Sequence, residues 1–153
     1  MQFIHDKVVT PVVQVMKSGT TPEAIADALG WGVMGGIFPI PGLTSLPCLL
    51  LAYLLSLNVV PVMAANFAVT PLNLASFVPI IRLGEWAFGL DHLPIAIEPF
   101  TTDLLSALSA FWRSLLAGVA AWILLLPLAV IISWTLRPVI RSLSARVRAA
   151  AEE

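Results

Sequence analysis

Charge is what this sequence has least of. Only 11% of its 153 residues are Asp, Glu, Lys or Arg, and from Ala28 to Ile81 there is no Asp, Glu, Lys, Arg or His. That stretch of 54 residues cannot form the surface of a water-soluble domain, and a second charge-free run follows from Ser114 to Leu136. Cysteine is nearly absent too. Cys48 is alone, which excludes a disulfide framework. The two histidines, His5 and His92, are too far apart in the chain to suggest a metal cluster or a nucleophile–base pair with Cys48. A net charge of −1 leaves no basic footprint for nucleic acid. The first 27 residues carry Asp6, Lys7, Lys17, Glu23 and Asp27 and lack an early apolar core, so no signal peptide is expected.

What is present is apolar: 59% hydrophobic residues and a mean hydropathy of +0.95. These values predict an integral membrane protein. As one helix the longer run would reach about 81 Å at 1.5 Å per residue, so it has to fold back on itself. Its prolines say where. In Phe38-Pro39-Ile40-Pro41-Gly42 the residues before each proline are pushed out of the helical region, neither proline has an N–H, and Gly42 tolerates a turn. A second break is expected at Val69-Thr70-Pro71, with Thr70 as cap and Pro71 in the first turn, and a softer one between Asn58 and Pro61.

Helices are therefore expected over 22–37, 43–57, 60–69 and 71–90, most of them shorter than the ~20 residues of a full crossing. The chain divides into an interfacial helix over 1–19, a broken-helix membrane domain over 20–90 and an acidic loop over 91–103. A full transmembrane helix over 104–136 and a basic amphipathic tail over 137–153 complete it. The expected fold is all-α: a polytopic helical membrane protein with broken, re-entrant-like hairpins plus one C-terminal span. Arg137, Arg141, Arg146 and Arg148 place the C-terminus on the cytoplasmic side, with Trp112 and Trp134 as interfacial anchors.

Gly30-Trp31-Gly32-Val33-Met34-Gly35 matches the dinucleotide fingerprint in letters only, since no strand precedes it and no acidic residue follows at the ribose position. Gly32 and Gly36, and Gly118 in the last span, read instead as smooth faces for close helix packing. The breaks carry the sharper idea. The helix starts at Gly42-Leu43-Thr44-Ser45 and at Thr70-Pro71-Leu72-Asn73 would present unpaired N–H groups, and the side chains of Thr44, Ser45, Asn66, Thr70 and Asn73 could complete an anion or substrate site. The same side chains could equally serve as caps and interhelical hydrogen bonds. Pro39, Pro41, Gly42 and Pro71 are the break residues in either case. Arg82 and Glu85, three apart, are expected to pair locally, and Asp91-His92 reads as a loop pair. No catalytic, metal-binding or cofactor-binding residue is assigned.

The order of Gly32 and Gly36, then Phe38 to Gly42, then a leucine-rich helix closing at Leu57-Asn58, then Asn66 to Pro71 and Gly84 resembles a family of bacterial and plastid membrane proteins, "domain of unknown function 2062". The resemblance covers about residues 20–90. Its members usually show Asn-Pro-x-Thr at the second break, where this chain has Asn66-Phe67-Ala68-Val69-Thr70-Pro71. It implies a small integral membrane protein without an established activity, related forms sometimes being joined to glycosyltransferase-like domains. Two functions are expected: transport or flipping of a lipid-linked or small anionic solute, or a non-catalytic membrane scaffold or accessory subunit. The expected partners are the lipid bilayer and a second copy or another membrane protein, with no nucleic acid, in a bacterial inner membrane or an organellar equivalent.

Overall fold

The computed structural model describes residues 20–92 and 104–151, apart from the side chains of 104–108, 148, 150 and 151. Among them are six helices and no strand: α1 (Pro22–Gly36), α2 (Ser45–Leu54), α3 (Val59–Ala68), α4 (Thr70–Ala87), α5 (Leu104–Leu125) and α6 (Leu128–Ala151). The expected interfacial helix over 1–19 and most of the acidic loop lie outside the described residues.

Local chemistry explains most of the boundaries. Thr21 caps α1, its Oγ1 accepting from Ala24 N at 3.2 Å, and Pro22 follows in the first turn. Asn58 caps α3 by accepting from Val60 N at 3.0 Å. Helices α2 and α4 end alike. Ser56 (φ 52°) and Gly89 (φ 62°) turn left-handed, and the following residues close back as Leu57 N to Ala52 O and Leu90 N to Glu85 O, both 2.8 Å.

α2 is shorter than the expected 43–57 at both ends and α4 stops at Ala87 rather than 90, and two further boundaries differ in kind. Thr70 is the first residue of α4 rather than its cap; its hydroxyl donates to Phe67 O at 2.9 Å, and the break is Val69 alone, where α3 and α4 meet at 71°. The single helix expected over 104–136 is two helices, because Pro127 lies in its middle. A proline there has no N–H to donate and clashes with the preceding turn. The chain turns instead through Leu126 N to Ile123 O and Ala129 N to Leu126 O, and α6 then runs without interruption into the basic segment that was expected as a separate tail. By length and composition, the described helix that could cross a membrane alone is α6 over Leu128–Val147; α3 and α4 are long and apolar enough only together, as a bent pair.

α1 is the central element, packed against α2, α3 and α6, while α4 packs against α5. Its glycines admit the neighbours. Gly30 lies against Ala129 and Ser133 of α6, Gly32 against Val62 of α3, Gly35 against Cys48 of α2 and Gly36 against Asn66 and Val69. Gly84 of α4 meets the Ala117 backbone of α5, with Gly118 beside Ile81. At one end of the molecule α6 is tied to α1 by ion pairs, Arg137 to Asp27 at 3.0 Å and Arg141 to Glu23 at 2.6 Å.

Candidate functional site

The two breaks meet because Gly35 and Gly36 have no side chains. Gly35 brings α1 against Cys48 in the first turns of α2, and Gly36 lets the end of α3 come within contact of the α1 backbone. Between them, residues 37–44 leave the helix and pass Pro39 inside and Pro41, Gly42 and Leu43 outside.

Around that turn the polar side chains take defined partners. Asn73, 4% exposed, donates from Nδ2 to Phe38 O at 2.8 Å, tying α4 to the α1–α2 connection. Asn66, 2% exposed, donates from Nδ2 to Ser45 Oγ at 3.4 Å, the first residue of α2. Its Oδ1 is buried with no hydrogen-bond partner. A buried acceptor left in that state costs about 1–3 kcal/mol. Among the described residues it shares that state with Arg137 Nε.

Of the six residues expected to form the site, Ser45 and Asn66 are bonded to each other, and Asn73 bonds separately to Phe38 O. Thr44 precedes Ser45, half-buried, and makes no side-chain cap on α2. Thr70 is exposed with its hydroxyl turned back to Phe67, and Gly42 (φ +87°) stands at the outer edge of the turn with open space around it. The second helix start also differs in field from the first. With one residue between α3 and α4, the negative end of α3 lies against the positive end of α4 and the two end charges offset each other. The α2 start has no such neighbour in sequence.

Sequence reasoning passed over Trp122. Its indole Nε1 donates to Met34 O at 2.7 Å, and its ring meets Phe38 edge-on at 5.0 Å, so α5 is locked to the same turn. A tryptophan in the middle of a charge-free run carries an N–H that must find an acceptor once buried, and that was the signal available. A second polar group sits apart, at the end of α4. Glu85, fully buried, pairs with Arg82 at 2.8 Å and with His92 Nδ1 at 3.2 Å, so His92 faces Glu85.

The chemistry of the tip site is limited to amides, a hydroxyl and backbone dipoles. Groups of this kind can hold a ligand by hydrogen bonds. Among the described residues no group of His, Cys, Asp and Glu could hold a metal ion.

Among the described residues this arrangement is all-helical, with short helices joined at breaks and packed around a glycine-rich helix. The chain belongs to the family described as "Uncharacterized protein conserved in bacteria (DUF2062)", whose model matches residues 10–148 and so extends well past the broken-helix region. Comparison with curated proteins and with solved structures gave no match.

Proposed function

We propose that this is an integral membrane protein that binds a lipid-linked or small anionic solute where its two breaks meet, and moves or flips it. The observation that carries the reading is the buried Asn66 Oδ1, without a hydrogen-bond partner, on a side chain bonded to Ser45 at the start of α2. Polar groups at that depth are costly in lipid and are kept where they serve a site. The exterior supports the membrane setting. Leu46, Leu50, Tyr53, Leu54, Val60 and Phe67 point outward from α2 and α3, and Leu124, Ile131 and Trp134 from α5 and α6. Four arginines on α6 support a cytoplasmic C-terminus in a bacterial inner membrane, since acidic partners such as Glu23 and Asp27 weigh little in that rule. The reading is not enzymatic.

One observation favours the scaffold reading instead. Asn73 and Thr70 already have partners in the protein, as a sealed packing joint requires. Water access separates the two. A cysteine at Thr44 in a Cys48→Ala background is expected to react with a membrane-impermeant thiol reagent from one aqueous side. No labelling from either side, in folded protein with a labelled surface control, would sink the transport reading and leave the scaffold.

A further inference from the structure

Building on the membrane setting proposed above, we infer that the helices meet the bilayer as two layers stacked end to end, α1, α2, α3 and α6 in the cytoplasmic leaflet and α4 with α5 in the other. The breaks then converge at mid-depth. Packing separates the layers: α1 lies along α2, α3 and α6, and α4 lies along α5, but the α4–α5 pair packs along none of the other four. It is tied to them at the breaks, by Asn73 Nδ2 to Phe38 O and Trp122 Nε1 to Met34 O. From that joint α4 and α5 leave as an antiparallel pair, Ile81 beside Gly118 and Gly84 against Ala117. α1 and α6 leave it as another, with Gly30 against Ala129 and Ser133, then Asp27 paired to Arg137 and Glu23 to Arg141. The 71° bend between α3 and α4 carries the second layer away from the first instead of folding it back alongside.

Charge and length fit this stack to a bilayer. The far end of α1 and α6 carries Glu23, Asp27, Arg137 and Arg141, and the far end of α4 and α5 carries Arg82, Glu85 and Arg113. Between these rims the chain is uncharged over 59–81 along α3 and α4, and over 114–136 along α5 and α6. Each run reaches about 34 Å at 1.5 Å per residue. Sharing the 71° bend as equal tilts shortens it to about 28 Å, close to a hydrocarbon core of about 30 Å. The exposed aromatic residues with polar tips lie toward the rims, Tyr53 and Trp134 on one side and Trp86 and Trp112 on the other, while Trp122 at the joint is buried.

α6 alone, over Leu128–Val147, is also long enough to cross, but that register would carry Arg137 and Arg141 into the hydrocarbon together with Asp27 and Glu23. The stack avoids this. It makes α3 with α4 and α5 with α6 two broken crossings, and α1 with α2 a hairpin that enters from the cytoplasm, turns at 37–44 and returns. Ala52 and Val62 pack with Ala28, so the turn after α2, at Leu55, points to the same water as Glu23.

Sidedness and depth test this in membrane vesicles. Asp91→Cys, Leu55→Cys and Ser142→Cys, all at exposed positions, are made singly in a Cys48→Ala background and treated with an impermeant thiol reagent from each face. Asp91→Cys is expected to label from the outer face only, and Leu55→Cys and Ser142→Cys from the cytoplasmic face only. A fluorophore on Leu43→Cys, an exposed residue of the 37–44 turn, is expected to be quenched most by lipids brominated near the chain ends. If Cys48→Ala does not fold, the buried native Cys48 stays in place and the unaltered protein serves as the background control.

Asp91→Cys labelling from the same face as Ser142→Cys overturns the stack, and so does Leu55→Cys labelling from the face of Asp91→Cys. Strongest quenching at Leu43→Cys by bromine near the head groups overturns it too. In each of these cases the protein is still in the membrane, and the proposed function stands on its own test. Release of the unaltered protein by alkaline carbonate overturns both, because the breaks then do not lie in lipid.

Discussion

Ser56 holds a left-handed conformation that L side chains adopt at a cost, and it does so to close α2. Gly89 performs the same closure at the end of α4 without that cost. Ser56→Gly should therefore stabilise the protein by about 0.5–1 kcal/mol, the steric relief outweighing the added freedom of the unfolded chain. Denaturant or thermal unfolding in detergent will read this, and an unchanged or lowered midpoint would show that the Ser56 hydroxyl contributes something the backbone closure does not. The same scale separates residues that local chemistry predicts from those it does not. Thr21 and Asn58 are caps in the structure, each accepting from a backbone N–H in the first turn of its helix. Thr70 has the letters of a cap before a proline, yet it lies inside α4, because the break is too short to leave a residue outside both helices.

At the scale of elements, helix pairs are decided by where backbones can touch. A methyl at Gly84 would meet the Ala117 carbonyl of α5, atoms that cannot rotate aside, whereas one at Gly118 would meet the Ile81 side chain at 3.1 Å, which has some room to move. Gly84→Ala is expected to cost about 1–3 kcal/mol and to loosen α4 from α5, with Gly118→Ala clearly milder. Comparing the two unfolding midpoints checks it, and equal effects would mean that the crossing is not as close as the structure places it. The glycines explain how much of the fold was legible. Gly32 and Gly36 were readable as a packing face, since small residues four apart line one side of a helix. That Gly30 admits α6 and Gly35 admits α2 was not readable, because spacing along one helix does not name the neighbour. The break at Pro127 was legible and masked by hydropathy. Apolar composition continues through it from Ser114 to Leu136, and hydropathy does not register backbone geometry.

Over the whole molecule, the ion pairs between α1 and α6 join residues more than a hundred positions apart. A hydrogen bond within its own backbone, and then the Arg141 guanidinium, hold the Glu23 carboxyl below its ordinary value of 4.5. A carboxylate with a depressed folded value contributes stability that is complete above about pH 4.5 and disappears as pH falls through the lower folded value. The difference in unfolding midpoint between the unaltered protein and Glu23→Gln should thus be constant from neutral pH to about 5 and shrink toward zero in more acidic solution. A difference that persists to pH 3 would place its origin in packing. Both groups are partly solvated, so the contribution is modest and should fall with added salt.

By itself the sequence determined the positions of most helix ends and the apolar character of the exterior. Proline, glycine and the capping residues act through dihedral angles and hydrogen bonds within a few positions, and an uncharged run excludes water whatever it packs against. The tertiary structure alone decided which breaks meet. It selected Ser45, Asn66 and Asn73 from six candidates, added Trp122, turned Thr70 away, and paired Arg137 and Arg141 with Asp27 and Glu23. Those outcomes depend on through-space distances between segments far apart in the chain, which are fixed only when α1 has been surrounded.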